Sequence, residues 1–456
     1  MNGESLIKPG MSAAVVGCGR AGLAMVEFLA HSGAHVLASD TRLLADFAGN
    51  EQDLLKRCTV GFEGGGHSVE FLSQAELIVV SPGIDLRHPA LTRLRHGGAA
   101  LVGELAVAAP LLRAPVIAIT GTNGKTTVTE VVGALLQEGG RRVFVGGNIG
   151  TPVGTCLLEA ADVEVIVLEV SSFQLELSGG FIPRVGVLLN ITPDHLDRHG
   201  SLDHYAAAKM RIFQGGPEQT DIVINGDDPL TATYVPATVA AAARRFGCRQ
   251  GAAAMVDGEG VVLAADGGRQ VFPLGGSSLN TASGRMNSAA ALLAVQRFGL
   301  DPAAIRRTLA TFQVGPHRMQ VVAEIGGVRF INDSKGTNTG AVISGLRQVG
   351  SRVILIAGGK DKGEDYRLLR DAVKQTVKHL ILIGEAAPSL AEALGDLVPW
   401  TPAGSMEDAV RQSAALAIFG DTVLLSPACA SFDMFANYKQ RGDRFAAAVE
   451  RLAEEP

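Results

Sequence analysis

The stretch Ile119-Thr120-Gly121-Thr122-Asn123-Gly124-Lys125-Thr126-Thr127 follows the apolar run Val116-Ile117-Ala118 and opens a helical pattern carried by Val128, Val131, Val132 and Leu135. A strand that turns through glycines into a helix aims several backbone N–H groups, and the positive end of the helix dipole, at one point. Phosphate fits there. Lys125 adds a mobile cation for the outer phosphates, and the Thr126 hydroxyl is placed to ligate Mg²⁺. A full Walker loop has a further glycine where this chain has Ile119, so the loop is a variant. The bland alternative is a Gly/Asn turn beside a solvated lysine. The strand, the lysine and the two threonines together favour a nucleoside triphosphate.

Composition frames that site. The chain has 456 residues, too many for one core, and a prior of about 150 residues per domain predicts three. Hydrophobic residues make up 47% and charged residues 19%, which describes a globular protein with large buried cores. A net charge of −6 argues against general binding to nucleic acid or membrane surfaces. Five cysteines without paired spacing fit free thiols in a reducing compartment. The start, Met1 to Gly10, lacks the apolar segment of a signal peptide, and no apolar run approaches roughly 18 residues. We therefore expect a cytosolic protein that is not inserted in a membrane; a monomer is expected too, though nothing in the composition decides it.

Short β-rich runs alternate with helical patterns along the chain, as in parallel α/β layers. The first block begins Ala13-Ala14-Val15-Val16, turns through Gly17-Cys18-Gly19-Arg20-Ala21-Gly22, continues in a helix and returns as His35 to Asp40. Leu77 to Val80 then runs into Ser81-Pro82-Gly83. Pro110 and Pro115 bracket a break. The second block has expected strands at Val116 to Ile119, Val143 to Val145, Val163 to Leu168, Val185 to Leu189 and Asp221 to Ile224. Asp257-Gly258 and Asp266-Gly267 then suggest appended hairpins. A third block starts near Gly315-Pro316, with expected strands at Val353 to Ile356, Leu380 to Ile383 and Val423 to Leu425. The boundaries read as 1–104, 105–314 and 315–456.

Gly17-x-Gly19-x-x-Gly22, with Asp40 ending the next strand, is a dinucleotide fingerprint in its usual setting. Alone it is weak: nicotinamide, another nucleotide diphosphate and a merely close-packed turn all fit it. In the second block, polar groups stand just past strand ends, where open α/β sheets bind ligands. Gly147-Asn148, Glu169 with Ser171-Ser172-Phe173-Gln174, and Asn190 with Thr192-Pro193-Asp194-His195 are such groups. Glu169 and Thr126 supply the oxygen ligands that Mg²⁺ prefers. His195 could equally be a hydrogen-bonded loop histidine. Lys209, on a helix read as Tyr205 to Phe213, would in isolation be a solvated surface lysine.

Seven runs carry a wider resemblance. They are Thr120 to Thr127, Gly146 to Gly150, Glu169-Val170-Ser171-Ser172-Phe173-Gln174-Leu175-Glu176, Asn190 to Asp197, Pro316-His317-Arg318, Asn332-Asp333-Ser334-Lys335-Gly336-Thr337-Asn338 and Leu425-Ser426-Pro427-Ala428-Cys429-Ala430-Ser431. In content and order, over nearly the whole chain, they resemble the Mur ligases, and the Ser-Ser-Phe-Gln-Leu-Glu and Ser-Pro-Ala-Cys-Ala-Ser runs resemble the D-glutamate-adding branch in particular. The resemblance implies three α/β domains: a Rossmann-like N-terminal domain for a UDP substrate, a central P-loop-type ATPase domain, and a Rossmann-like C-terminal domain for the amino acid and part of ATP. It also implies an ATP-dependent amide ligase joining D-glutamate to UDP-N-acetylmuramoyl-L-alanine in peptidoglycan synthesis.

Residue by residue, the resemblance assigns the UDP substrate to Gly17, Cys18, Gly19, Arg20, Ala21, Thr41, Arg42 and Ser81, with Asn148 and Ser171 on its muramoyl-alanine arm. ATP falls to Gly121, Thr122, Asn123, Gly124, Lys125, Thr126 and Thr127, with Asn287, Arg318 and Asp333 on the adenine and ribose side and Lys335 near the phosphates. Two Mg²⁺ ions would be held by Thr126, Glu169, His195 and a carbamylated Lys209, which overrides the surface-lysine reading. Lys125, His195 and Lys209 would be catalytic. D-glutamate would meet Thr337, Lys362, Ser431 and Phe432, with His317 beside it. Met286, Phe432 and Tyr438 depart from the family's usual His, Leu and Phe, which bears on substrate fit more than on reaction class. Flexible joints near 104–115 and 312–317, and closure of domains, are further expectations. Three other readings stand beside this one: a ligase for another amino acid, an NAD-dependent oxidoreductase and a nucleotide-controlled binding switch.

Overall fold

A computed structural model describes residues 5–159, 162–265 and 268–454. It divides into two compact units: residues 1–191, 206–277 and 285–311 form the first, and 192–205, 278–284 and 312–456 the second. Each is built on parallel sheet.

The first unit carries two sheets. The smaller contains β1 (Ser12–Val16), β2 (His35–Asp40), β3 (Gly61–Gly64), β4 (Leu77–Val80) and β5 (Leu101–Val102), all parallel in the order β3-β2-β1-β4-β5. Chain order reverses direction at β1, so the glycine turn after β1 and the Ser81–Gly83 turn after β4 border one crevice. β1, β2 and β4 bury on both faces, which is why they carry the consecutive apolar residues Ala13–Val16, Val36–Ala38 and Leu77–Val80. Gly22 is required where it stands: a Cβ there would lie 1.9 Å from the Gly17 carbonyl oxygen.

The larger sheet contains β6 (Val116–Thr120), β7 (Val143–Gly147), β8 (Val165–Glu169), β9 (Val185–Leu188), β10 (Asp221–Asn225), β11 (Arg244–Gly247), β12 (Ala254–Val256), β13 (Gly260–Ala265) and β14 (Gly268–Pro273). Its order is β14-β13-β12-β11-β10-β9-β6-β8-β7. β6 therefore lies between β9 and β8, with Ile119 opposite Glu169 on one side and Thr120 opposite Leu188 on the other. The expected hairpins are present as antiparallel pairs β12–β13 and β13–β14. The Asp257 carboxylate shapes the first turn by accepting from the N–H groups of Glu259 and Gly260. Asp266-Gly267 lies outside the described residues.

The second unit holds β15 (Gln320–Ile325), β16 (Val328–Asn332), β17 (Val353–Gly358), β18 (Val377–Ile383), β19 (Trp400–Pro402) and β20 (Thr422–Leu425), ordered β15-β16-β20-β17-β18-β19. Only β15 runs antiparallel. Leu424 and Leu355 belong to the core on one face, Leu425 and Ile356 to the core on the other. Asn332, Leu425 and Ile356 stand in register, so the loops that follow β16, β20 and β17 emerge along one edge.

The strand read from Val163 begins at Val165, and the helix read as Tyr205 to Phe213 is an α-helix over Leu202–Met210 followed by a 3₁₀ turn over Arg211–Phe213. Among the described residues no helix is long and apolar enough to cross a membrane.

Candidate active site

The phosphate loop leaves β6 and enters the helix Lys125–Glu138 through Gly124, whose φ of 86° is left-handed. Asn190, just past β9, holds it: its Oδ1 accepts from the N–H groups of Thr122 (3.1 Å) and Asn123 (2.9 Å), and its Nδ2 donates to the Asn123 carbonyl at 3.0 Å. Lys125 Nζ curls back to donate to the carbonyls of Gly121 (2.9 Å) and Thr122 (2.7 Å). Asn287 packs against the loop, its Oδ1 only 2.6 Å from where a Cβ on Gly124 would stand.

On the other flank Glu169, at the end of β8, is 2% exposed. Its Oε2 accepts from the Thr126 hydroxyl and its Oε1 from Asn148 Nδ2, both at 2.7 Å. A carboxylate and a hydroxyl meeting beside a phosphate loop are hard oxygen donors of the kind Mg²⁺ takes. Lys209 is 1% exposed and its Nζ donates to the Gly121 carbonyl at 2.8 Å, so it is no surface lysine. As an ammonium it would repel a cation; carbamylation would reverse its sign. Among the described residues no group of three or more His, Cys, Asp or Glu side chains could hold a metal.

Asn148 also lines a cavity of about 380 Å³. The first glycine turn, with Gly17, Gly19, Arg20 and Ala21, and the turn Ser81 to Ile84 also line it. Arg20 donates to the Gly150 carbonyl. Cys18, Thr41, Arg42 and Ser171 do not line this cavity. Cys18 turns inward, its N–H donating to Asp40 at 2.7 Å, and burial pushes its thiol up to about 12. Thr41 is exposed. Arg42 binds both oxygens of Asp40 and the Cys18 carbonyl and stacks over Phe47. Burial alone would raise the Asp40 carboxyl, but these bonds from Arg42 and Cys18 hold it below the usual range. Ser171 caps the helix Ser172–Glu176 and bonds Gln174. Gln174 and Glu104 also line the cavity; the sequence marked Gln174 only as a polar group past a strand end and gave Glu104 no role.

In the second unit Asp194, 5% exposed, accepts from Lys362 Nζ at 2.6 Å and from Asn338 Nδ2 at 3.1 Å. Burial would lower the Lys362 ammonium, but Asp194 and Glu364 hold it above its ordinary value; burial pushes Glu364 up. His195 begins the next turn with a φ of 56°, its ring partly exposed. Asp333 is buried against the Ser426 hydroxyl and the Met319 N–H, and burial pushes its carboxyl up to about 7. Lys335 Nζ lies 4.2 Å from the centre of the Tyr438 ring. His317 is buried between Asn332 and Asp443, and that burial lowers its pKa. Ser431 is buried, whereas Phe432 is 73% exposed, so it forms no apolar wall in this state. Arg441, fully buried, ties these loops together through Ser334 and the carbonyls of Cys429 and Ala430.

The sequence marked Asn190, Gln174 and Asp194 as polar groups past strand ends but gave them no specific role. Nothing in the local sequence marks Glu104, Glu364 or Arg441.

Three family models match: a Mur ligase MurD-like N-terminal domain over residues 11–103, a Mur ligase middle domain over 119–292, and a Mur ligase glutamate ligase domain over 317–429. The chain is 49% identical over 97% of its length to the UDP-N-acetylmuramoylalanine–D-glutamate ligase of Desulfotalea psychrophila, 96% of which is covered. It is 41% identical over 96% of its length to the enzyme so named from Acidobacterium capsulatum, with 95% of that protein covered. Among solved structures, Thermotoga maritima UDP-N-acetylmuramate–alanine ligase aligns with a TM-score of 0.61 at 18% identity, over 98% of this chain and 100% of that one. The MurF ligase of the same organism, in complex with ADP, aligns with a TM-score of 0.60 at 19% identity, over 99% and 96%. These two show the fold.

Proposed function

The chain belongs to the Mur ligase family, and from that premise we infer that it is an ATP-dependent ligase adding D-glutamate to UDP-N-acetylmuramoyl-L-alanine in peptidoglycan synthesis. One observation in the first unit carries the chemistry. Asn148 bonds the Glu169 carboxylate beside the phosphate loop and also lines the cavity under the glycine turn. An acyl substrate lying in that cavity would bring its carboxylate to the γ-phosphate.

A carboxylate is a poor acyl donor because its charge repels nucleophiles and oxide does not leave. Attack of one carboxylate oxygen on the γ-phosphorus, with ADP departing, gives an acyl phosphate. The amine of the amino acid then adds to the carbonyl carbon, loses a proton, and the tetrahedral species collapses with release of phosphate. The first step brings two anions together, so cationic groups fixed in advance dominate the barrier, one such contact being worth roughly 10²–10³ in rate. Lys125 serves this role. Released from the Gly121 and Thr122 carbonyls, its ammonium reaches the outer phosphates. Mg²⁺ held by Thr126 and Glu169 would neutralise further charge on the phosphate oxygens. A carbamylated Lys209 would offer ligand oxygens for a second cation in the first unit; His195 is assigned to metal by the family resemblance.

The cavity residues Gly17, Gly19, Arg20, Ala21, Ser81 and Asn148 are assigned to the UDP substrate, with Thr41, Arg42 and Ser171 outside the wall as flanking contacts. Asn287 is assigned to the nucleotide at the loop. In the second unit Arg318, Asp333 and Lys335 are assigned to ATP. His317, Thr337, Lys362, Ser431 and Phe432 are assigned to D-glutamate, Lys362 exchanging a protein carboxylate for that of the ligand.

Phosphate release, measured with ATP and Mg²⁺ against D-glutamate, L-glutamate, L-alanine and diaminopimelate, tests the reading with the UDP substrate present or omitted. Release only with the UDP substrate and D-glutamate together is expected. No release with any pairing overturns it.

A further inference from the structure

We propose that Glu104 binds the acyl arm of the UDP-linked substrate, its Oε2 donating a hydrogen bond to an amide carbonyl or hydroxyl oxygen of that arm. This rests on the substrate reading above and adds a recognition residue to it.

Glu104 opens the short helix Glu104–Ala108 and is 3% exposed. Its Oε1 accepts from Gln174 Nε2 at 2.6 Å. Gln174 Oε1 in turn accepts from the Ser171 N–H (2.8 Å) and hydroxyl (3.0 Å), so both ends of the Gln174 amide are engaged. Glu104 Oε2 is buried and has no hydrogen-bond partner among the described residues. Both side chains line the cavity that also carries Gly17 and Asn148. Buried polar atoms nearly always have partners, so an orphan oxygen in the wall of a ligand-sized cavity marks where a ligand completes the pairing.

The chemistry of the orphan decides what it can pair with. Burial pushes the carboxyl up to about 7, with the Gln174 bond opposing. Of the other titratable groups in this neighbourhood, Asp40 is bonded to Arg42 and Arg20 to the Gly150 carbonyl, while Cys156, Glu159 and Glu176 lie on the helices Val153–Glu159 and Ser172–Glu176 that pack against Glu104–Ala108. Since Oε1 already accepts, the proton of the neutral acid sits on Oε2 and makes it a donor. That suits an oxygen-rich, anionic ligand. The ionised form would present a second negative oxygen to the same ligand and repel it.

The test follows binding and turnover with pH in the parent, Glu104→Gln and Glu104→Ala. Gln keeps an acceptor for Gln174 and a donor for the cavity but cannot ionise. The KM and calorimetric Kd for UDP-N-acetylmuramoyl-L-alanine are expected to rise severalfold in the parent between about pH 7 and about pH 9, as the acid loses its proton. Glu104→Gln should stay near the parent's low-pH value throughout. Glu104→Ala should bind about tenfold more weakly at every pH, with KM for ATP and D-glutamate within about twofold. Parent-like affinity in Glu104→Ala, or a Glu104→Gln curve that follows the parent's, overturns the proposal; the second comparison stands even if the Ala variant does not fold. Failure of the parent to bind the UDP substrate at all removes the substrate reading, and this proposal with it.

Discussion

Truncating Asn190 to Ala tests whether the phosphate loop is held in its binding shape by the neighbouring strand. The side chain makes bonds to the N–H groups of Thr122 and Asn123 and to the Asn123 carbonyl. The Thr122 N–H also donates to the Asn190 backbone carbonyl at 3.0 Å and keeps that bond after truncation. The net loss is therefore close to two neutral hydrogen bonds, about 2 kcal/mol at roughly 1 kcal/mol each. If the loop must be reordered each time a triphosphate binds, that cost appears in affinity, and about 2 kcal/mol is close to thirtyfold in the KM for ATP. Asn190→Asp sharpens the test. It keeps one acceptor oxygen but sets the other against the Asn123 carbonyl and adds negative charge beside the triphosphate, so it should bind ATP at least as poorly as the Ala variant. Titration with a non-hydrolysable ATP analogue, alongside urea denaturation to confirm folding, reads the effect. A KM for ATP within about twofold of the parent in Asn190→Ala would refute the argument.

Lys125→Ala should abolish measurable phosphate release while leaving the denaturation midpoint within about 0.5 kcal/mol, because a partly buried loop lysine contributes little packing; retained turnover would remove it from the chemistry. Lys209→Ala should be inactive and regain activity with short carboxylic acids that replace the carbamate, and rescue is the observation to look for in a phosphate-release assay. Gly22→Ala forces a Cβ to within 1.9 Å of the Gly17 carbonyl oxygen and 2.7 Å of Ser81 Oγ. It should cost roughly 1–3 kcal/mol in urea and raise the KM for the UDP substrate more than that for ATP; unchanged stability would contradict it. Glu104→Gln should gain stability relative to the parent as pH rises from about 5 to about 8, since a carboxyl whose folded pKa lies above its unfolded value loses folding energy over that range, and thermal melts at both ends measure the difference.

What the sequence disclosed and what it withheld divide along the topology. The loop 121–127, Glu169 and the first glycine turn are legible because each sits at a strand end, where local pattern alone predicts exposure to a ligand. Their partners are not, since contact across the sheet depends on strand order. β6 lies between β8 and β9, which places Asn190 against the loop although 66 residues of chain separate it from Gly124. Short or alternating strands such as β3, β5, β15 and β16 escaped a reading tuned to apolar runs, the first two being only partly buried. Glu104 reads as an ordinary helix-opening acid. Only the packing of its helix turns it inward.

The same geometry decides between the readings of Gly17-x-Gly19-x-x-Gly22. In a dinucleotide enzyme the acid ending the second strand accepts from a ribose hydroxyl. Here Asp40 is 6% exposed, and its carboxylate is occupied: Oδ2 accepts from the Cys18 N–H, and Arg42 binds Oδ1 through its own N–H and both oxygens through its guanidinium. The acid is therefore a brace for the turn and for Arg42, and presenting it to a ribose would break a charge-assisted pair. The N-terminal end of the helix Arg20–His31 still suits a diphosphate, whichever nucleotide carries it, although the Gly17 and Cys18 N–H groups are bonded to Ser39 and Asp40. Hydride chemistry loses its recognition element, whereas the sugar-nucleotide reading proposed above needs only the helix end and polar groups such as Ser81 and Asn148, which line the cavity.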